Sequence, residues 1–216
     1  SITLNINVTS GHAGLFTKTG FGATIKNLIV NAVIKSSVAS YTYATGGLIG
    51  CVSGTTVIEN CGITGTITNE STNTSPPIYI GGIAGYQTSK LTINNCYVAA
   101  DITAEKGGSA TAAGGFVGKA GSTSGVQLTI ADSYFHGTVS APKGYAGGIV
   151  GYGQAPAASN KHVYENIYAA GQVTGAKAYG FMFMYNVKTD AYIITNCYYD
   201  AANSNGFNET TDGLQG

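Results

Sequence analysis

Side chains that could perform acid–base chemistry are few in this chain. Its 216 residues include ten Asp and Glu residues, ten lysines and three histidines, and no arginine. The best catalytic cluster combines Asp132, His136 and Glu165, which come from neighbouring repeats of the chain. Polysaccharide-cleaving enzymes place paired carboxylates in one cleft. Because these three residues occupy different repeat positions and no arginine accompanies them, we predict that the protein is not an enzyme.

The cysteines could in principle bind a metal or form a disulfide. Cys61, Cys96 and Cys197 share one repeat position, where other repeats have residues such as Leu28 and Ile167. Exchange with Leu and Ile indicates a small buried site. A Cys61–Cys96 disulfide between adjacent turns stays open at this point. No C-x-x-C pair is present, so we expect neither a metal site nor a cofactor.

One repeat position carries a side-chain amide in five of the six repeats and a carboxylate in the remaining one. Asparagine tolerates the left-handed backbone region, and its amide can bond to an equivalent residue one turn away. We therefore predict an internal ladder at a turn of the chain. The alternative is a metal-lined track, which would need more carboxylates than the ladder and its neighbours supply. The six predicted ladder residues are Asn27, Asn60, Asn95, Asp132, Asn166 and Asn196.

Tyrosine is the dominant aromatic residue, with 15 Tyr against 7 Phe and no Trp. Four tyrosines lie two positions after the ladder residue. Because they follow the repeat period, we predict a stacked column whose hydroxyls reach water. A ligand-facing row, as on carbohydrate-binding surfaces, is the alternative. These residues are Tyr97, Tyr134, Tyr168 and Tyr198.

A glycine-rich motif recurs along the chain as GGLIG, GGIAG, GGFVG and GGIVG. Its first glycines are Gly46, Gly81, Gly114 and Gly147, so the spacings are 35, 33 and 33 residues. Such a period indicates a repeat array. Glycine permits a positive φ or a close backbone approach, so the motif predicts a corner with a thin wall. A phosphate-binding loop would need a helix to follow, and no helix signal does.

A second segment in each repeat follows the consensus T-I-x-N-C-Y-φ-x-G-x-V-T, where φ is an apolar residue. Its second half alternates, as in Val98, Ala100 and Ile102, which predicts a strand buried on one face. One unit cannot bury its apolar face alone, so the units must stack. We predict an all-β protein, a parallel β-helix (β-solenoid) of about six turns with roughly 33 residues per turn.

The repeats also predict the organisation of the chain and one exposed surface. Residues 1–216 form a single domain, with an N-terminal strand or cap at 1–12, repeats at 13–178 and a degenerate last turn with a C-terminal cap at 179–216. Adjacent strand residues point to opposite faces. We therefore expect one member of each apolar pair in the glycine motif to face outward. If these members are Ile49, Val117 and Val150, they form a strip that is either offered to a partner or, as we favour, covered by loops.

Composition excludes several partners. The net charge is zero, and charged residues make up 9% of the chain. Nucleic-acid binding requires a basic surface, so we expect no such partner. No apolar run approaches the roughly 20 residues that cross a bilayer, so we expect no membrane insertion by this segment.

The GG-φ-φ-G copies, the T-I-x-N-C-Y segments and the closing NCYYDAANSNG resemble the GLUG-motif repeats of bacterial cell-surface and secreted proteins. These include filamentous-haemagglutinin-like adhesins and repeats that accompany zinc-type immunoglobulin A peptidases. The resemblance covers residues 13 to 205. In the first copy, which begins at Ala13, Thr17 stands where the motif has its last glycine. It implies an exported repeat domain, part of a larger surface protein. It supplies no catalytic residues, because the H-E-x-x-H of those peptidases is absent.

Together these patterns predict a noncatalytic extracellular module on the bacterial cell surface. It would be structural or adhesive and would present its loops to a host protein or glycan. The alternatives are a β-helical polysaccharide lyase or glycoside hydrolase and a carbohydrate-binding module.

Overall fold

A computed structural model describes residues 1–37, 44–72, 75, 77–123, 125–157, 160–185, 191–202 and 214–215. These residues form strands, turns and bends, and none of them is helical. Part of the predicted last turn and C-terminal cap at 179–216, namely residues 186–190, 203–213 and 216, lies outside the described residues.

The strands of the first three turns are short, and bends separate them. They are β1 Ile2–Val8, β2 Phe16–Thr19, β3 Ala23–Lys26, β4 Ile29–Ser36, β5 Ala44–Gly46, β6 Ile49–Val52, β7 Thr56–Glu59, β8 Gly62–Asn69, β9 Tyr79–Gly81, β10 Ala84–Gln87, β11 Leu91–Asn94 and β12 Tyr97–Ala104.

Several strands of the later turns continue through the bends. They are β13 Ala112–Gly114, β14 Val117–Ala120, β15 Leu128–Phe135, β16 Thr138–Gly147, β17 Val150–Gln154, β18 His162–Ala169, β19 Gln172–Tyr179, β20 Met182–Tyr185, β21 Tyr192–Tyr199 and β22 Leu214–Gln215.

All strand pairs are parallel and nearly in register from one repeat to the next. The smaller sheet has six strands in the order β2-β6-β10-β14-β17-β20, and the larger sheet has 16. Strand β8 lies between β4 and β12, with Ile63 opposite both Val30 and Val98. Each turn stacks on the preceding one at the spacing of paired strands, about 4.8 Å. The predicted parallel β-solenoid of about six turns is confirmed.

The core follows the large-small-large alternation of the longer strands. In β12, Val98, Ala100 and Ile102 are buried, whereas the intervening Ala99 and Asp101 are exposed. The same pattern in successive turns merges the inward residues into one continuous core. Burial of this apolar surface is the main favourable term that holds the turns together.

The glycine motif forms a sharp bend where the backbones of adjacent turns touch. The Gly47 amide donates to the Gly82 carbonyl at 2.9 Å, and the Gly82 amide donates to the Gly115 carbonyl at 3.1 Å. A Cβ atom on Gly47 or Gly82 would overlap the carbonyl oxygen of the second glycine one turn further on. These glycines do not have positive φ angles. Close approach, rather than backbone handedness, therefore requires glycine here.

The expectation that one member of each apolar pair, such as Ile49, Val117 or Val150, faces outward is wrong, because both members belong to the core. All three side chains have no exposed surface, and neither does Leu48, the partner of Ile49 in the apolar pair. Strand alternation fails because a bend at residues 47 and 48 separates β5 from β6. The two members of the pair stand on either side of a corner, so both can point into the core.

Candidate functional site

The predicted ladder residues occupy a second corner of each turn. All six adopt the left-handed conformation, with φ between 48° and 58°. Asparagine and aspartate reach this region at lower cost than other residues with a Cβ atom. The side chains are exposed, so the prediction of an internal ladder is wrong in its location. The next residue, such as Cys61 after Asn60, points into the core instead.

Hydrogen bonds connect the ladder side chains along the solenoid axis. Each amide nitrogen Nδ2 donates to the Oδ1 of the residue one turn earlier. The donor–acceptor pairs are Asn60 to Asn27 at 3.1 Å, Asn95 to Asn60 at 2.6 Å, Asn166 to Asp132 at 2.8 Å and Asn196 to Asn166 at 3.1 Å.

The ladder lacks one hydrogen bond, between Asp132 and Asn95. An ionised carboxylate accepts hydrogen bonds but has no N–H to donate. Asp132 can therefore receive the bond from Asn166, and it cannot donate to the Oδ1 of Asn95 as an asparagine would. The column consists of two hydrogen-bonded runs of three residues.

The four predicted tyrosines form a row beside this ladder. Tyr97, Tyr134, Tyr168 and Tyr198 pair in register from turn to turn. The Tyr97 and Tyr134 rings lie 5.6 Å apart at an interplanar angle of 13°. The last three tyrosines are 49%, 50% and 43% exposed, so their rings and hydroxyls are accessible. We call this row the tyrosine row.

The tyrosine row and the ladder line a shallow groove of about 380 Å³. Its walls include the Tyr134, Tyr168 and Tyr198 rings and the side chains of Asn166 and Asn196. Aromatic rings offer flat apolar contact, and amides offer both donors and acceptors. The groove can therefore contact a ligand that has apolar faces and hydroxyl groups.

The acid–base residues singled out in the sequence lie on exposed surface. Asp132 accepts the Asn166 amide within the ladder, and His136 and Glu165 are exposed. In the described part of the chain, no group of three or more His, Cys, Asp or Glu side chains is placed to hold a metal ion.

The four cysteines are buried free thiols. The Cys61 backbone amide donates to the Cys96 sulfur at 3.4 Å, and the Cys96 thiol donates to the Asn94 carbonyl at 3.2 Å. These two residues are therefore in adjacent turns, as the sequence predicts, without a bond between the sulfurs. Burial raises the pKa of Cys197 to about 11 and raises the pKa of Cys51. The thiolate forms needed for nucleophilic or metal chemistry are disfavoured at these two positions.

A second cavity, of about 260 Å³, lies near the glycine bends. Tyr79, Tyr145 and Tyr152 line it together with Lys119 and Lys177. We call it the tyrosine–lysine cleft. Two columns of side chains form it, one from the strands just before the bend and the other from the strands just after it.

Lys119 is the central cation of this cleft. Its ammonium donates to the Tyr79 hydroxyl at 3.0 Å and lies 4.8 Å from the centre of that ring. The rings of Tyr86 and Tyr152 are 5.3 Å and 5.7 Å away. Burial lowers the pKa of Lys119. At the other end, Lys177 donates to the Tyr145 hydroxyl at 2.9 Å, and this bond raises the pKa of Lys177.

None of the predictions from the sequence included this cleft, although Tyr and Lys residues at fixed positions around the glycine motif indicate it. The residues two before and five after the first motif glycine are Tyr79 and Tyr86 in one repeat, and Tyr145 and Tyr152 in another. The repeat between them has Ala112 and Lys119 there. Finding the site required the bend geometry, which brings those two positions together.

Comparisons with known proteins complete this description. The family model described as "The GLUG motif" matches residues 41–68. Searches of curated proteins and of solved structures gave no match. Among the described residues, no helix has the length and apolar character needed to cross a bilayer.

Proposed function

We propose that this chain is a noncatalytic adhesive module of a bacterial surface protein, because its repeats resemble the GLUG motif, whose family model matches residues 41–68. In this proposal the module works outside the cell and binds a glycan. The glycan lies along the groove that the tyrosine row and the ladder line. The expectation of adhesin-like, secreted relatives comes from the resemblance of the repeats and is part of the proposal.

The single observation that carries this proposal is the exposure of the tyrosine row. Large aromatic side chains normally contribute to stability through burial. Tyr134, Tyr168 and Tyr198 are nevertheless between 43% and 50% exposed, at equivalent positions in successive turns. A regular row of exposed rings is suited to a ligand that repeats along its length, as a polysaccharide does.

The ladder adds polar contacts along the same groove. Within the column each Asn amide uses at most one N–H and one oxygen lone pair, which leaves further donor and acceptor capacity toward solvent. Asn166 and Asn196 line the groove beside the rings. Sugar hydroxyls can bond to these groups while sugar C–H faces stack on the tyrosines.

The test is an array of glycans and extracellular-matrix proteins probed with the 216-residue chain. We expect glycan binding, and we expect the Tyr134→Ala and Tyr168→Ala substitutions to weaken it. Loss of one stacked ring costs about 1 kcal/mol, which is roughly a fivefold loss of affinity. Phe21→Ala is the control, because Phe21 is 89% exposed and lies outside the row.

Three results would contradict the proposal. Binding to matrix proteins alone would replace the glycan with a protein partner. The absence of any hit would favour a passive spacer. Turnover of a polysaccharide would favour the alternative, a β-helical lyase or hydrolase.

A further inference from the structure

The tyrosine–lysine cleft combines two columns of side chains along the solenoid axis. The column before the bend runs through Tyr79, Ala112, Tyr145 and Lys177 in successive turns. The column after the bend runs through Tyr86, Lys119 and Tyr152. Ala112 is fully buried and packs in one cluster with Tyr79, Tyr86, Tyr145 and Tyr152, and Lys119 is the residue across the bend at that level.

The cavity lies beside the two lysines rather than between free aromatic faces. Tyr79 is 6% exposed and has the Lys119 ammonium over its ring, and Tyr145 has the Lys177 ammonium over its ring. The space open to a ligand is therefore the cavity next to these ammoniums. Its volume of about 260 Å³ lies below the roughly 300–1,000 Å³ of sites for drug-sized ligands, so a single ring unit fits.

The cleft carries positive charge without a matching carboxylate. In the described part of the chain the ion pairs are Lys26–Glu59 and Lys35–Glu70, and neither involves Lys119 or Lys177. Lys119 is half-buried, and its neighbours are tyrosine rings. Burial penalises its ammonium, which is why the pKa of Lys119 falls. A bound anion would offset that penalty.

We propose that the tyrosine–lysine cleft binds one carboxylated sugar unit of a glycan, such as a uronic or sialic acid. The sugar ring occupies the cavity, and its carboxylate pairs with Lys119, with Lys177 at the edge of the cleft. This inference rests on the proposed function, because it assumes that the module recognises glycans. It names the class of sugar and adds a site distinct from the tyrosine row.

Other ligand classes fit this chemistry less well. Aromatic cages also bind quaternary ammonium groups, but here the Lys119 and Lys177 ammoniums already lie over the rings. A small inorganic anion would pair with Lys119 and leave most of the cavity unfilled. A neutral sugar would fill the cavity and leave the half-buried ammonium without a counter-ion.

The experiment measures binding of free sugars to the 216-residue chain by saturation-transfer NMR and calorimetry. The probes are glucuronate and N-acetylneuraminate, with glucose as the neutral ring and acetate as the anion without a ring. We expect at least one acidic sugar to bind with a dissociation constant near the millimolar range, and at least tenfold more tightly than glucose or acetate. We expect Lys119→Met to weaken that binding by at least tenfold.

A matched control comes from the same column of the sheet. Lys18 lies in register with Cys51, three turns from Lys119, and is exposed outside the cleft. Lys18→Met removes the same charge from the same face, and we expect it to leave acidic-sugar binding unchanged. Equal losses from Lys18→Met and Lys119→Met would mean that net charge alone attracts the sugar and would overturn the proposal.

The outcomes separate this inference from the proposed function. Acetate that binds as well as the acidic sugars would show a simple anion site and would overturn the inference. Glycan binding that depends on Tyr134 and Tyr168 and not on Lys119 would overturn the inference while leaving the proposed function intact. If acidic sugars bind through Lys119 and the tyrosine row makes no contribution, the inference is supported. The tyrosine row would then no longer be the glycan-binding site of the proposed function. Failure of all glycans and sugars to bind would overturn both.

Discussion

Asp132 has a carboxylate oxygen where the other five ladder residues have an amide NH2 group. Its backbone has the same left-handed φ, 48° against 51° to 58° for the asparagines, so the corner itself is unaffected. What changes is the hydrogen bond to the preceding turn, because a carboxylate cannot donate. The identity of this one residue therefore decides whether the ladder is one hydrogen-bonded run of six residues or two runs of three.

We predict that Asp132→Asn stabilises the protein by about 0.5–1 kcal/mol, the usual net value of an added hydrogen bond. The new amide would donate to the Asn95 Oδ1 and would still accept from Asn166. Urea unfolding of both proteins measures the change. Asn60→Asp is the mirror control, since it removes the bond that Asn60 donates to Asn27 and should destabilise by a similar amount. Destabilisation by Asp132→Asn would contradict this explanation of the gap.

At the scale of elements, the glycine bend decides how closely the two sheets approach. The third glycine of the motif also lies against backbone, since a Cβ on Gly118 would come within 2.6 Å of the Ile80 amide. Gly118 belongs to β14 in the smaller sheet, and Ile80 belongs to β9 in the larger sheet. The wall between these strands has no room for a side chain, which explains why the motif repeats three glycines around an apolar pair.

We predict that Gly82→Ala destabilises the protein by about 3 kcal/mol, because its Cβ would overlap the Gly115 carbonyl and the Val98 side chain. Thermal and urea unfolding measure the loss. Gly20→Ala is the matched control, since a Cβ there meets nothing within 4 Å and Gly20 has no positive φ. Its effect should stay within about 0.5 kcal/mol. Equal effects of the two substitutions would refute the close-approach argument.

At the scale of the whole molecule, each turn is stabilised by its neighbours, so bonds between turns control global stability. The fully buried His162 forms one such bond, with Leu128, and a second bond with Gln154 within its own turn. Its Nδ1 accepts the Leu128 amide at 2.9 Å, and its Nε2 lies 3.0 Å from the Gln154 carbonyl, to which it donates as a neutral ring. Burial lowers the pKa of His162 to about 4. Burial and the nearby Lys18 also lower the pKa of His12.

We predict that the protein loses stability as the pH falls from about 6.5 toward 4. In this window the unfolded chain takes up protons on His162 and His12, whose ordinary pKa is near 6.5, whereas the folded chain takes up fewer because the pKa of both is lowered, for His162 to about 4. The His162 contribution is present above pH 6.5 and is lost progressively toward pH 4, by up to about 3 kcal/mol. Urea unfolding at several pH values measures the slope. His162→Gln should flatten it, and an unchanged slope in that variant would exclude His162 as the cause.

The sequence by itself determined what repeats along the solenoid axis. The spacing of the glycine motifs predicted about six parallel turns, and the Asx residue in each repeat predicted a left-handed corner. Both follow from the sequence because in-register stacking places equivalent residues next to each other. The alignment of the tyrosine row followed for the same reason.

Only the tertiary structure decided what meets around the circumference of a turn. The bend at residues 47 and 48 turned Ile49 inward, although strand alternation placed it outside. The ladder corner pointed its amides to solvent. The same geometry brought Lys119 to Tyr79, 40 residues away in the chain. Side-chain direction at a corner depends on the angle between strands and on the thickness of the wall, and a repeat period contains neither.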